Sequence, residues 1–422
     1  MTTHPLFVQI HTLTSYPGAL LNRDDVGFAK RLPFGGSTRT RISSQCLKRH
    51  WRTFDGDGSL ASLRDEMGPV SLAVRSRHSF ERYVLEPLLS EGVDADAARA
   101  ATEAIMVAVL GESAKAKKAK EDAKSDDSTA KGKKKKPDQD AAPSMMTGQI
   151  TVLGKPELDY FLKQARDLAK SAGSADAIAK EAKDRFKDKE WAKNLEGLRR
   201  AAGLDGALFG RMVTSDKLAR SDAAVHVAHA FTVHSEYSEP DYFSAVDDLL
   251  QGGDDPQLGS GHIGTVELTS GLYYGYVVLD VAQLVSNIEG CPVRDWAKAD
   301  RKLTADVAAT LVRLVSRVSP GAKKGSTAPY SCAHLTLVEA GSAQPRTLAN
   351  AFLKPVDGRP DLIANAYDAL VSYVTETDEV FGEANRRALA AIGPKERLAK
   401  LAQPSTIDAV AKFAAGAIVE HR

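Results

Sequence analysis

The spacing of apolar positions changes several times along the chain, and each change predicts an element. LFVQIHTL (6 to 13) is dense in apolar and β-branched residues and predicts an opening strand. The next segment, PGALLNRDDVGFAKRLPFGGSTR (17 to 39), holds no sustained period. Its glycines and polar residues suit a long loop around a ligand better than a core element. From about 61 to 205, stretches such as SFERYVLEPLLSEG, ADAARAATEAIMVAVLG and KPELDYFLKQARDLAKSAG place apolar residues three and four apart, which predicts an almost wholly helical block. Strand character returns in LFGRMVTS, AAVHVAHAFTVH and TVELTSGLYYGYVVLDV. Between the last two lies an acidic, glycine-rich segment whose ends meet if the flanking strands pair, making a projecting arm. A helix (LTADVAATLVRLVSRV), a loop (SPGAKKGSTAPYS), a strand (HLTLVEAG) and C-terminal helices complete an α+β chain, in which the helical block interrupts a β-containing domain.

Composition narrows the classes. With 422 residues, 43% of them hydrophobic, the chain suffices for two or three domains with a sizeable core. No apolar run reaches the length of a membrane span, and the first residues lack a basic segment followed by an apolar one. The expected location is the cytoplasm, with no membrane partner. Cys46, Cys291 and Cys332 stand far apart without a C-x-x-C, which argues against a disulfide framework or a thiolate zinc site. A formal net charge of +1 argues against a protein that coats nucleic acid over its whole surface, so any such binding is local.

Two segments concentrate positive charge. Between Lys115 and Lys136 stand ten lysines and four acids with no large apolar side chain. That composition cannot offset its ordering entropy and predicts a solvated mobile loop, with an auxiliary nucleic-acid contact as the second reading. Residues 23 to 52 carry eight Lys and Arg against two acids, Asp24 and Asp25. Here Ser43 and Ser44 are good caps for a helix running to about Phe54. Gln45, Lys48, Arg49 and Arg52 share one face of it at i, i+3, i+4, i+7, while Leu47, Trp51 and Phe54 lie on the other. A helix start offers unpaired amides and partial positive charge, serines add donors, and Arg supplies a planar fork for phosphate oxygens. Arg23, Lys30, Arg31, Arg39 and Arg41 add charge upstream, so the segment is expected to cradle phosphates.

Other motifs are weaker. GSGHIG (259 to 264) fits the dinucleotide fingerprint but lacks the preceding strand and following helix, so it is expected at a hairpin tip. YYGYVVLD (273 to 280) lacks the basic first position and spaced aromatics of an RNA-recognition strand, and is expected to pack in a sheet. If HVAHAFTVH is a strand, His226 and His229 point to opposite faces, so these two and His234 are expected to be polar positions of a half-buried strand rather than metal ligands. Asp24–Asp25 and Asp247–Asp248 are the carboxylate pairs able to hold Mg²⁺ for phosphodiester cleavage, though adjacent aspartates are also common in loops.

Taken together, LNRDD (21 to 25), FGG (34 to 36), RISSQCLKR (41 to 49), GRMVTS (210 to 215), VAHA (227 to 230), FSAVDDL (243 to 249), SG (270 to 271) and PGAK (320 to 323) resemble, in order, the CasC family, the backbone subunit of the type I-E CRISPR surveillance complex Cascade. The lysine-rich insertion from about 113 to 143 departs from that pattern and is expected to be dispensable; the last eighty or so residues match more loosely. The resemblance implies a ferredoxin-like, RNA-recognition-type palm (1 to 60, 206 to 234 and 266 to 422), helical fingers (61 to 205) and a β-hairpin thumb (235 to 265). It implies copies polymerised head to tail along a CRISPR guide RNA, kinking it at intervals and leaving bases free to pair with target DNA, beside other Cascade subunits. Catalysis and cofactors are not implied. The carry-over puts Arg23, Lys30, Arg41, Ser43, Ser44, Gln45, Lys48, Arg49 and Arg52 on the guide backbone, Arg211 and Met212 at the kinked nucleotide opposite Phe243 and Ser244, and Ile263 near the thumb tip. Lys323 and Lys324 are further candidate phosphate contacts. The alternative is a metal-dependent ribonuclease subunit using Asp24 or Asp25, as related type III backbone subunits cut RNA.

Overall fold

Strand β1 (Phe7–Ala19) is buried along nearly all its length, because the sheet that it centres is covered on both faces. The computed structural model describes residues 7–65, 68–111, 145–171, 174–187, 191, 194, 203–211, 222–246, 260–382 and 385–420, so the lysine-rich stretch lies outside the described residues. The other strands of the sheet are β2 (Arg31–Phe34), β3 (Ser37–Ile42), β4 (Val225–Val227), β5 (Ala230–Thr232), β6 (Tyr237–Val246), β7 (Ser260–Asp280), β8 (Leu335–Gly341), β9 (Arg386–Ala391) and β10 (Pro404–Ser405). Their order is β10-β9-β8-β1-β7-β5-β3-β2, with β4 and β6 also on β7. Every pairing is antiparallel except β9 with β10.

The long helices beside this sheet are α1 (Ser44–Thr53), α2 (Lys302–Arg317), α3 (Leu362–Phe381) and α4 (Ile407–Val419). Taken in chain order, β1, α1, β5, β7, α2 and β8 form a strand–helix–strand–strand–helix–strand unit whose strands lie fourth, first, third, second. That is the ferredoxin-like order, reached although a long insertion separates α1 from β5. Alternation decides what each face of β1 meets. Leu13 joins Tyr274, Leu337, Tyr367, Leu370 and Leu389 in a core beneath α3. On the opposite face Thr12, Thr14 and Tyr16 line a cavity of about 30 Å³ with Leu47 and Trp51 of α1 and with Val315 of α2, room for about one water.

Phe34, Gly35, Gly36 and Ser37 correct an expectation. The two glycines have φ of +60° and +76° and form the two-residue turn of the β2–β3 hairpin, in which Phe34 pairs with Ser37. A Cβ on Gly35 would lie 1.5 Å from the Leu353 carbonyl oxygen. Only glycine combines the positive φ with that approach, so the pair makes a tight surface turn, Gly35 lying against the Leu353 backbone, and is not part of a long loop. The loop proper is shorter, about 20 to 30.

A second unit comprises 66–224 and 283–299, the first 1–65, 225–282 and 300–422. The boundary falls at 224/225, whereas the sequence expectation put it at 205/206. Helices Ala95–Leu110, Lys155–Ser171 and Ala175–Arg185 surround Phe80, Leu88, Ile105, Val109, Leu158, Phe161 and Leu168. The block is not wholly helical, since Val74–Ser76 and Thr151–Leu153 pair antiparallel.

Trp51 is 3% exposed and anchors α1 on the sheet. Trp51→Ala is expected to cost about 3–5 kcal/mol, cavity included, read as a fall in the denaturant midpoint at unchanged slope.

Candidate nucleic-acid interface

The interface is built around the start of α1. Ser43 is the N-cap, its Oγ accepting from the Cys46 amide at 3.3 Å. The Leu47 amide donates to the Ser43 carbonyl at 3.1 Å, and the Ser44 amide donates to Nδ1 of His229 at 3.0 Å. Of the first four amides of the helix, three are thereby satisfied, and Gln45's has no acceptor among the described residues. That is the amide a helix start presents to an anion. Ser43 and Ser44 are buried, Gln45 and Arg49 exposed, and Lys48 and Arg52 half-buried, each of the last two engaged within the protein. The predicted division of the helix holds: Leu47 and Trp51 are inward, the cationic face outward. Burial raises the Cys46 thiol, and Arg49 and Lys30 pull it back, so both cations stand within electrostatic reach of the first turn.

The loop before β2 is held by its own aspartate. Oδ1 of Asp24 accepts from the amides of Val26 (3.1 Å), Gly27 (2.8 Å) and Phe28 (2.9 Å). Backbone bonds join Asp24 to Phe28, Lys30 to Asn22, and Arg41 to Lys30, while Asn22 Oδ1 accepts from the Ser43 amide at 2.9 Å. Arg23 is exposed and Lys30 half-buried on this braced loop. From β7, Glu267 accepts from the Ala29 amide at 2.6 Å and binds Arg31, which also pairs with Glu236. Asp24 therefore has a structural task that its sequence neighbours did not announce. The signal was a glycine three places on, the spacing of an Asx-type turn.

Not all of the upstream charge faces outward. Arg39 is 0% exposed, with its guanidinium donating to the carbonyls of Thr232 (3.1 Å), Phe352 (2.9 Å) and Phe34 (3.3 Å). Burial alone lowers its basicity. Arg31 is spent on two carboxylates, and Arg41, half-buried, donates Nε to the Arg31 carbonyl at 3.1 Å. The local excess is smaller than the count of eight implied.

β6 and β7 pair as the arm required, with Ser244 opposite Ile263 and Phe243 opposite Gly264. A Cβ on Gly264 would meet the Phe243 ring at 2.5 Å, so the glycine makes room for that ring. Lys323 Nζ stands 5.4 Å from the ring centroid, a cation–π distance. This brings the PGAKK loop against the arm at Phe243. Lys324 is exposed at the start of the short helix that follows.

Arg211 corrects another expectation. It lies in the second unit, 4% exposed, with Nη1 2.7 Å from both carboxylate oxygens of Glu157. A buried guanidinium with its charge matched serves the helical core here. Met212 and the arm segment 247–259, with Gly259 of the glycine motif, lie outside the described residues, as does the second half of LFGRMVTS (212–215). The histidines do not share a strand: β4 ends at Val227, β5 begins at Ala230, and His229 between them is exposed. His234 is buried and takes the Leu272 amide on Nε2 at 3.1 Å. No group of three or more His, Cys, Asp or Glu able to hold a metal ion occurs among the described residues, and no helix there is long and apolar enough to cross a membrane.

Comparison with known proteins covers almost the whole chain. The family model described as CT1975-like protein matches residues 8–414. A solved chain titled "CRISPR RNA-guided surveillance complex, pre-nicking" superposes with a TM-score of 0.71 at 26% identity, covering 97% of this chain and 100% of that one. A second, titled "CRISPR RNA-guided surveillance complex", gives 0.65 at 24% identity over 97% and 99%. No curated protein matches.

Proposed function

The chain belongs to the CT1975-like protein family, and from that premise we propose that it is a guide-RNA-binding backbone subunit of a CRISPR surveillance complex of the Cascade type. Its partners are the guide RNA, target DNA through the hybrid with that RNA, and other subunits of the complex. The observation that carries the reading is the start of α1, with an open amide at Gln45, an outward face of Gln45, Lys48, Arg49 and Arg52, Arg23 and Lys30 nearby on a braced loop, and Arg41 on β3. Such a surface grips phosphate and ribose without reading base edges. A subunit that accepts any spacer needs that, since sequence is left to Watson–Crick pairing.

The finer reading is a head-to-tail filament in which each thumb kinks the RNA. Phe243, and Met212 by its place in the sequence, act as apolar wedges at a base step, and unstacking costs a few kcal/mol that backbone contacts offset. Ser244 and Ile263 line the same thumb; Lys323 and Lys324 hold a neighbouring phosphate. Heterologous contact between copies propagates without closing, and other subunits cap the filament.

Purification with its complex, followed by sequencing of the bound nucleic acid, tests the reading. Uniform-length RNAs with varied inserts between constant flanks are expected, and an RNA-free protein with no affinity for such RNAs would sink it. The ribonuclease alternative is met in the same preparation. Asp24→Asn keeps an acceptor for the three loop amides, so RNA binding is expected to persist, while Asp24→Ala loses them and weakens it. Mg²⁺-dependent cleavage of labelled target that disappears in Asp24→Asn would favour the enzyme.

A further inference from the structure

His229 reaches the first amide of α1 from outside that helix: its Nδ1 accepts from Ser44 at 3.0 Å across 185 residues of sequence. We propose that His229 is a positioning residue for the phosphate cradle, holding the first amide of α1 so that the next one, Gln45's, stays open to a guide phosphate. The inference rests on the reading of α1 as the guide-binding element.

A backbone amide only donates, so Nδ1 must present its lone pair and the ring proton sits on Nε2, an assignment made from this bond. The ring is therefore held neutral. Its surroundings agree: burial lowers its pKa, the charges of Arg41 and Lys30 lower it further, and the Ile42 carbonyl opposes them. Without an acceptor at this point the Ser44 amide competes with Gln45's for the incoming oxygen, and the first turn has lost a fastening to the sheet. The imidazole is exposed and sits between two strands, so its removal leaves no core cavity. Asparagine places a side-chain oxygen near where Nδ1 stood but carries nothing at the Nε2 edge.

The test compares the full-length wild type, His229→Ala, His229→Asn and Lys48→Ala, binding a fluorescent single-stranded RNA of guide length over a range of salt. His229→Ala is expected to bind about fivefold more weakly, the size of one lost hydrogen bond, with an unchanged log–log salt slope, because no charge is lost. Lys48→Ala is expected to lower that slope by about 0.7. His229→Asn is expected to recover wild-type affinity. The inference fails if His229→Ala binds as wild type, if its slope falls as for Lys48→Ala, or if asparagine binds no better than alanine. Wild type that does not bind RNA, or Lys48→Ala without effect, would instead sink the proposed function.

Discussion

Replacing Lys48 and Arg52 together by alanine is expected to weaken guide RNA binding about tenfold to a hundredfold per subunit, and equally for unrelated spacers. Both side chains leave the face of α1 opposite Leu47 and Trp51, so the fold keeps its apolar anchor. A charge-assisted bond to phosphate is worth about 1.5–3 kcal/mol; competition by water brings each of these to about 0.7–1.4 kcal/mol, which for the two together gives that range. Each lost contact to single-stranded RNA should also reduce the log–log salt slope by about 0.7, so the pair reduces it by about 1.4. If four phosphates are held per subunit, the wild-type slope is about −3. Filter binding with three RNAs of different sequence at several salt concentrations checks the three quantities together. Losses that depend on the spacer would count against backbone readout.

A second expected loss of stability lies on the far face of the sheet. Glu339, fully buried on β8, is 2.7 Å from Nε of Arg387 on β9 and 3.3 Å from Nε2 of His11 on β1, while Arg387 forks onto Asp378 of α3 at 2.6 and 2.9 Å. Burial pushes the Glu339 carboxyl up, but His11 and Arg387 outweigh it and hold it at about 2. Asp378 is likewise pushed up by burial and held low by Arg387 and Arg346. Arg387→Met removes the nearest cation to Glu339 and the bidentate partner of Asp378, leaving Arg346 at 4.0 Å from Glu339; breaking a buried pair costs about 3–5 kcal/mol, and about 3 is expected where a second cation remains. The pH dependence has a defined sign. A carboxylate held below its unfolded value stabilises fully above that value, about 4.3, and loses its contribution as pH falls through it toward about 2. The deficit of Arg387→Met should therefore shrink across that window, because a protonated Glu339 no longer needs the cation. Urea unfolding at pH 7 and at pH 3 reads this directly. Adding Glu339→Gln should recover part of the loss at pH 7, whereas simple additivity of the two changes would show that the pair is not coupled.

Legibility in the sequence followed distance along the chain. α1 was readable because its cap, its apolar side and its cationic side lie within ten residues at helical spacing. The paired strands of the thumb followed from two runs facing each other across an acidic segment, and the ferredoxin-like order from family motifs in sequence order. What depended on partners far away was not readable. Arg39 counts as surface charge until the carbonyls of Thr232 and Phe352 enclose it, 193 and 313 residues on. Arg211 has the composition of a ligand and the surroundings of a core ion pair with Glu157. The His229 contact was hidden because HVAHAFTVH has the pattern of one strand, and the break at Ala228 that turns the ring toward α1 has no local residue signal. Gly35–Gly36 failed differently, since a loop that embraces a ligand and a tight hairpin turn ask for the same residues.

β7 is 21 residues long and passes without a break from its pairing with β6 in the projecting hairpin to its pairing with β1 in the central sheet. Side chains along a strand alternate between faces, so one residue inserted into the shared stretch would turn every hairpin side chain from one face to the other while the central sheet stayed in place. Change in the length of this hairpin is thereby constrained in parity: below the tip it can gain or lose residues only in twos, matched on β6, or else by a bulge. Free variation in length is left to the segment that joins the two strands.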